Sequence, residues 1–479
     1  MANNYKQFLE LREKYPNFIF SGYDISDSGN SLSISYNFSI PNLAQFNPKW
    51  EIAKLSSSSI TSLDERLHQL IFSLGMVELV SYWKITCSPN VEINCGFLSE
   101  SQVSWWKKLY KNGLGEFFYT NGIEVDDSFI TIVTNSDNSL PQTNSRITDE
   151  CIRSAGVNLT EGKICSNNPK KNIISCDNKK VLIPIGGGKD SIVTIELLEN
   201  LADRFGYIIN PRKATLDSAA VSSIPNIITA NRTLDANMIE LNKKGFLNGH
   251  TPFSALVAFS SVIAAYIHDI EFVALSNESS ANEPTVLGSD VNHQYSKSFE
   301  FESDFIEYEA EYIMSGVKYF SLLRPLHEIS IAKIFSRLKK YHKIFRSCNV
   351  GSKQDIWCAK CPKCLFVYII LAPFLSNQEM IDIFGRNMLD DIELETIFKE
   401  LIGLLPEKPF ECVGSCDEVN AALQELVRQN KLDTTLINIY KTLNIPKKQD
   451  IMEMCSNYNL ENYVPKQFAK KIKDEIGAN

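Results

Sequence analysis

Three short stretches of this chain concentrate residue types able to do chemistry. The first is VLIPIGGGKDSIVTIELLEN, residues 181–200. An apolar run there meets Gly186, Gly187 and Gly188, then Lys189, Asp190 and Ser191, and a helical pattern follows. Consecutive glycines let backbone N–H groups point into one concavity, and a helix N-terminus adds partial positive charge. Lys189 supplies a full charge and Ser191 a hydroxyl donor, so the pattern predicts a polyphosphate site. It is neither a Walker A loop, because Asp190 rather than Ser or Thr follows the lysine, nor the dinucleotide Gly-x-Gly-x-x-Gly. The bland alternative is a glycine-rich turn with no ligand.

The second stretch is RSCNVGSKQDIWCAKCPKC, which places Cys348, Cys358, Cys361 and Cys364 with nine, two and two intervening residues. Four thiolates so spaced can surround tetrahedral Zn²⁺, and a structural zinc is the first reading. An iron–sulfur cluster is the second. Cys412 and Cys416 lack neighbours in sequence and read as ordinary thiols. The third stretch, residues 276–305, carries Asn277, Glu278, Asn282, Glu283, Asn292, His293, Gln294, Ser296, Lys297, Glu300 and Glu302. It follows a strand end, where open α/β sheets bind ligands. The alternative is a polar surface loop leading into a half-exposed strand at SFEFE.

The glycine turn resembles the pyrophosphate loop of N-type ATP pyrophosphatases, Ser-Gly-Gly-x-Asp-Ser. Gly187, Gly188, Asp190 and Ser191 match, and Gly186 replaces the leading serine. The resemblance implies ATP as a substrate, with pyrophosphate held by residues 186–191 and the substrate's oxygen adenylated. Lys189 then suits the leaving-group charge, and Asp190 suits Mg²⁺ or water.

Together with NGHTP, SNESSAN, VNHQYSKSFEFE, RPLHE and WCAKCPKC, the chain resembles the UDP-N-acetylmuramoyl-L-alanyl-L-glutamate epimerase family. The likeness is clear over residues 180–375 and weaker at FIFSGYDIS, NPKWEI and KPFECVG. It implies inversion of the terminal L-glutamate of that nucleotide peptide, a peptidoglycan precursor, with ATP cleaved to AMP and diphosphate. A free carboxylate makes the α-hydrogen very weakly acidic, and adenylation removes that charge so that a base can take the proton. His293 is the first candidate for proton transfer, since its reference pKa lies near neutrality. Lys297 is a second acid/base or an anion holder, and Glu278 an alternative base or Mg²⁺ ligand. His250, Asn277, Glu283, Asn292, Gln294, Arg324 and His327 are expected to bind substrate. One rival enzyme lets an amine capture the adenylate, as in ligases similar to 7-cyano-7-deazaguanine synthase, which carry a similar cysteine quartet. A rival of another class is a non-catalytic nucleotide and zinc scaffold.

These residues need elements to hold them. Residues 181–185, 226–229 and 272–276 read as strands, alternating with helical patterns at 191–200, 233–243 and 251–267. Thr251 is expected at that last helix's N-cap with Pro252 at its first position. Alternation of this kind predicts a parallel sheet with crossover helices. The fold class is therefore α/β, and the resemblance implies that its central domain, residues 171–345, is adenine-nucleotide α-hydrolase-like. An α+β N-terminal domain (1–170) precedes it, with strands at 18–20, 31–38 and 129–133. Helices are expected there at 101–110 and 62–83, the latter opened by a Ser62–Glu65 capping box. Residues 161–180 read as a connection. A helical region with the cysteine cluster (346–479) follows, its clearest helices at 380–384 and 392–405.

Composition sets the outer limits. The 479 residues are 44% hydrophobic and 22% charged, ordinary for a folded protein. Forty-eight basic against 57 acidic residues give a net charge of −9, which argues against a general nucleic-acid binder. A signal or transit peptide is not evident, and the apolar runs at 253–267 and 366–374 are too short to span a bilayer. The expectation is a cytoplasmic enzyme on a small nucleotide-peptide substrate, without nucleic-acid or membrane partners and with its twelve cysteines reduced.

Overall fold

The structure is a computed structural model that describes residues 4–55, 63–134, 179–430, 433–446 and 448–478. Eleven strands form one sheet. They are β1 (Asn17–Asp27), β2 (Ser31–Ile40), β3 (Ala44–Phe46), β4 (Lys49–Ala53), β5 (Asn90–Ile93), β6 (Thr131–Thr134), β7 (Lys179–Pro184), β8 (Ala202–Ile209), β9 (Asn226–Thr233), β10 (Phe272–Leu275) and β11 (Lys318–Ser321). The spatial order is β11-β10-β7-β8-β9-β4-β2-β1-β5-β6, with β3 beside β2. From β9 to β11 every pairing is parallel, while β4 meets both β9 and β2 antiparallel. The strands of the first 134 residues and those of the α/β region therefore share one continuous ladder through Ile52 and Ala230.

Both faces of the parallel half are buried, so its strands read as nearly unbroken apolar runs. Alternate residues nevertheless serve different cores. Leu182, Tyr207, Val273 and Leu275 face the cluster that holds the helices Glu65–Trp83 and Phe253–Ile267. Val181, Ile183, Ile208, Phe272 and Ala274 face the cluster built with Glu328–Arg337 and Pro362–Leu371. Helices thus cover the sheet on both sides. Among the described residues no helix is long and apolar enough to cross a membrane.

Several local expectations are corrected. The second long helix is capped by Asp64, which accepts from Leu67 N at 2.9 Å, and Ser62 lies outside the described residues. Thr251 does not cap its helix, which runs Phe253–Ile267; its hydroxyl accepts instead from Lys84 Nζ at 2.9 Å. The segment SFEFE is not a strand but the start of the helix Phe299–Tyr308, capped by Ser298. Alternation over five residues cannot separate the two periods, whereas burial of Phe301, Phe305 and Tyr308 follows the helical one. β9 continues to Thr233, so the next helix begins at Ala236 behind Asp235. The helix expected at 392–405 is shorter, Ile392–Leu394 in a 3₁₀ turn and then Glu395–Leu401. Of the expected connection only Lys179 and Lys180 are described, and they open β7.

Candidate active site

Along the sheet, β8 and β9 lie on one side of β7 and β10 and β11 on the other. The crevice outside the carboxyl ends of β7 and β10 is thus a topological switch point, the usual ligand position in such sheets. The glycine turn leaves β7 and the polar loop leaves β10, so both open onto it. A cavity of about 290 Å³ sits there, lined by Gly186, Gly188, Asp190, Ser191, Asn277 and Lys297, among others.

The three glycines have different reasons to be there. Gly187 has φ +81°, and a Cβ on it would lie 3.1 Å from Ala214 and Thr215 backbone atoms. A Cβ on Gly188 would meet Ser347 Oγ at 2.7 Å. Gly186 meets nothing within 4 Å and is exposed at the cavity. Gly188 is the N-cap of the helix Lys189–Leu197, whose first-turn N–H groups lack intrahelical partners. Four cationic side chains line the same cavity: Arg212, Lys297, Arg346 and Lys363. A concavity of exposed backbone donors and positive charge suits a polyanion.

Lys189 does not line this cavity. Its ammonium is 1% exposed and ion-paired to Asp190 and Glu328. Burial alone lowers its pKa, but the two carboxylates outweigh that and raise it. Burial raises Glu328 to about 8 against the pull of Lys189. Asp190 remains half-buried on the cavity wall, and its carboxyl is held low, the neighbouring Lys189 and Lys363 charges outweighing burial. Ser191 Oγ donates to Gly188 O at 3.1 Å.

The polar loop is organised by Arg324, which is fully buried. It binds the Glu302 carboxylate at 2.9 Å and the carbonyls of Glu278 and Lys297 at 2.5 Å each. Arg324 therefore positions the loop and is not among the lining residues. Glu278 is buried, which raises its carboxyl pKa. Asn277 Nδ2 donates to Ser321 Oγ at 3.1 Å, and Gln294 Nε2 to Val413 O at 3.0 Å. Three expected substrate residues stand apart. Glu283 pairs with Lys408 at 2.5 Å, and His327 heads the helix Glu328–Arg337 with Nε2 3.2 Å from Asn457. Asn292 lines a separate cavity between this loop and Asn112.

His293 and His250 meet on one carboxylate. His293 Nδ1 is hydrogen-bonded to Glu116 Oε2, and His250 Nδ1 lies 3.2 Å from the same oxygen. The two rings are 4.5 Å apart. Burial and the positive His293 push His250 down to about 4. Burial also opposes a charge on His293, but hydrogen bonds to Cys412 and Glu116 prevail and lift it to about 9. The pair thus carries a single positive charge near neutral pH, on His293.

The comparisons bear on what this site does. The MurL N-terminal domain matches residues 10–322 and the MurL C-terminal domain residues 344–453. Three relatives bear the name UDP-N-acetyl-alpha-D-muramoyl-L-alanyl-L-glutamate epimerase. The protein of Salinispora tropica is 31% identical over 423 residues, 86% of this chain and 85% of its own. That of Xanthomonas oryzae pv. oryzae is 30% identical over 382 residues, 78% of this chain and 76% of its own. That of a Micromonospora species is 30% identical over 372 residues, 76% of each. The chain belongs to the MurL epimerase family. No solved structure matches it significantly.

The chain brings Cys348, Cys358, Cys361 and Cys364 together as the spacing predicts. All four sulfurs lie within 4.8 Å of one another, with nearest separations of 3.4, 3.7 and 3.8 Å. A tetrahedron with Zn–S of about 2.3 Å has edges of roughly 3.8 Å, so the four could bind zinc. The cluster also carries Arg346 and Lys363 to the cavity, because Arg346 precedes Cys348 by two residues and Lys363 lies between Cys361 and Cys364. Neither has a signal of its own in the sequence, but both sit inside a motif that does.

Cys412 is the largest departure from the sequence-based reading. It is no ordinary thiol: its sulfur lies 3.1 Å from Lys297 Nζ and it lines the cavity. Burial pushes its pKa up, yet Lys297, a hydrogen bond from His293 and the Lys363 charge outweigh that and hold it well below the usual value. Cys416 keeps the ordinary direction for a buried thiol, pushed up to about 11.

Proposed function

We propose that this protein inverts the terminal L-glutamate of UDP-N-acetylmuramoyl-L-alanyl-L-glutamate. ATP activates the glutamate carboxylate as an acyl adenylate, releasing diphosphate, and hydrolysis after inversion releases AMP. The observation that carries this reading is the glycine turn at the β7–β10 switch point, opening into a cavity with four cationic side chains. It supports an adenine-nucleotide α-hydrolase-like domain. The names of the relatives support the substrate and a role in peptidoglycan precursor synthesis.

The residues have distinct parts in this scheme. The open Gly186 backbone and the first-turn N–H groups hold the phosphates. Arg212, Arg346, Lys297 and Lys363 match the negative charge of ATP and of the departing diphosphate. Lys189, enclosed by Asp190 and Glu328, orients Asp190 rather than reaching the phosphates itself. Asp190 would hold Mg²⁺, which supplies charge neutralisation when bound. Cys348, Cys358, Cys361 and Cys364 would hold a structural zinc, which would fix Arg346 and Lys363 at the cavity.

The test is incubation with ATP, Mg²⁺ and the L-glutamate nucleotide peptide in heavy water. The product should contain D-glutamate deuterated at the α-carbon, with AMP and diphosphate formed and no amine required. AMP formation without α-exchange would overturn epimerisation. An amide formed only when ammonia is supplied would favour the ligase.

A further inference from the structure

Activation makes the α-hydrogen acidic but does not remove it, so a base must stand beside the α-carbon. That base has to face the cavity that takes the activated carboxylate, be unprotonated at neutral pH and be held in place. His293 is not among the lining residues, and its ring is engaged by both Glu116 and Cys412. Lys297 faces the cavity, but it is held as a cation by the groups around it.

Cys412 meets all three conditions. Its sulfur lines the cavity with Asp190, Asn277 and Lys297. Lys297 Nζ lies 3.1 Å from Sγ, and Lys363 donates to the Cys412 carbonyl. Gln294 fixes the next residue through Val413 O at 3.0 Å. His293 is hydrogen-bonded to the sulfur and is oriented in turn by Glu116, from the helix Gly115–Thr120. A thiol, an imidazole and a carboxylate in series form the arrangement that activates a cysteine in unrelated folds. Outside the four-thiol cluster the other described cysteines, Cys87, Cys95, Cys416 and Cys455, all have their thiols pushed up by burial.

The geometry points to Cys412 as the group that takes the α-proton of the activated glutamate, an inference that rests on the epimerase reading above. The Cα–H bond breaks, an S–H bond forms, and the electron pair moves onto the acyl oxygen as an enolate. A water molecule on the opposite face returns a proton to Cα. The hydroxide so formed takes the proton from the Cys412 thiol, which restores the thiolate and water. Lys297 balances the sulfur's charge, while His293 and Glu116 are positioning residues.

The experiment compares the full chain and Cys412→Ser with ATP, Mg²⁺ and the L-glutamate nucleotide peptide. Two readouts are followed: substrate-dependent exchange of labelled diphosphate into ATP, and uptake of solvent deuterium at the α-carbon. Cys412→Ser should keep diphosphate exchange within a few-fold while α-deuterium uptake falls by about 10²–10⁴-fold, the span of general acid–base catalysis. Retained diphosphate exchange also shows that the variant is folded. Full deuterium uptake in Cys412→Ser would overturn the role of Cys412 alone. So would loss of both readouts, which would assign Cys412 to activation or folding, or a thioester trapped on Cys412 by acid quench, which would make it a nucleophile. No α-exchange by the unaltered chain would remove the epimerase reading and this inference with it. Glu116→Gln should move the pH profile of deuterium uptake, a change that a merely structural role would not cause.

Discussion

Lys297 Nζ and Cys412 Sγ lie 3.1 Å apart although 115 residues separate them in the chain. The pair joins the loop after β10 to the loop before the helix Cys416–Gln429, at the wall of the cavity into which the glycine turn opens. It puts a sulfur of depressed pKa on the wall that the glycine turn also lines.

A thiol held low should alkylate in its own pattern. Ordinary cysteines lose reactivity about tenfold per pH unit below their pKa of about 8.5, because only the thiolate attacks. Cys412 should lose much less of its iodoacetamide rate than Cys416 does as the pH is lowered from about 8. In Lys297→Met the Cys412 rate should fall with pH like the others. Peptide mass spectrometry over a time course checks both.

The glycines should separate by position. Gly186→Ser, facing open space, should change stability by no more than about 0.5 kcal/mol and leave AMP formation intact. Gly187→Ala forces a side chain into φ +81° against the Ala214 backbone and should cost about 1–3 kcal/mol, with loss of AMP formation. Urea unfolding and an AMP assay distinguish them.

Arg324 and Glu302 form a fully buried pair. Removing one partner strands the other's charge, so Arg324→Met should destabilise by about 3–5 kcal/mol. Adding Glu302→Leu should recover part of that loss. A double-mutant cycle measured by denaturant unfolding tests the coupling.

The two histidines give opposite pH dependences. His250 is lowered to about 4, so between pH 6.5 and 4 the unfolded chain binds more protons and stability is lost as pH falls. His293 is raised to about 9, so its contribution is fully present below pH 6.5 and is lost as pH rises toward 9. Glu116→Gln should weaken the alkaline-side loss, and His250→Gln should remove the acid-side one. Melting temperatures from pH 4 to 9 report each slope.

Zinc should be found at about one ion per chain and should fall away in Cys361→Ser. Because the metal loop carries Arg346 and Lys363, that variant should also bind ATP more weakly. Metal analysis and nucleotide titration on the same preparation check the link.

The local geometry confined to a few consecutive residues was readable from the sequence. A glycine turn between an apolar strand and a helix, and cysteines two residues apart, specify local geometry because their backbone reach leaves few alternatives. The parallel strands were legible for a similar reason, since residues buried on both faces read as apolar runs. Tertiary structure decided the rest. Five residues of SFEFE fit either period, and packing of Phe301, Phe305 and Tyr308 chose the helix. β4 joins β9 only because distant chain segments meet. Arg324 looked like a ligand for substrate and proved a clamp, since burial depends on what surrounds it. Cys412 looked inert for the same reason. A thiol's charge state is set through space by Lys297, His293 and Lys363, and no spacing along the chain records those distances.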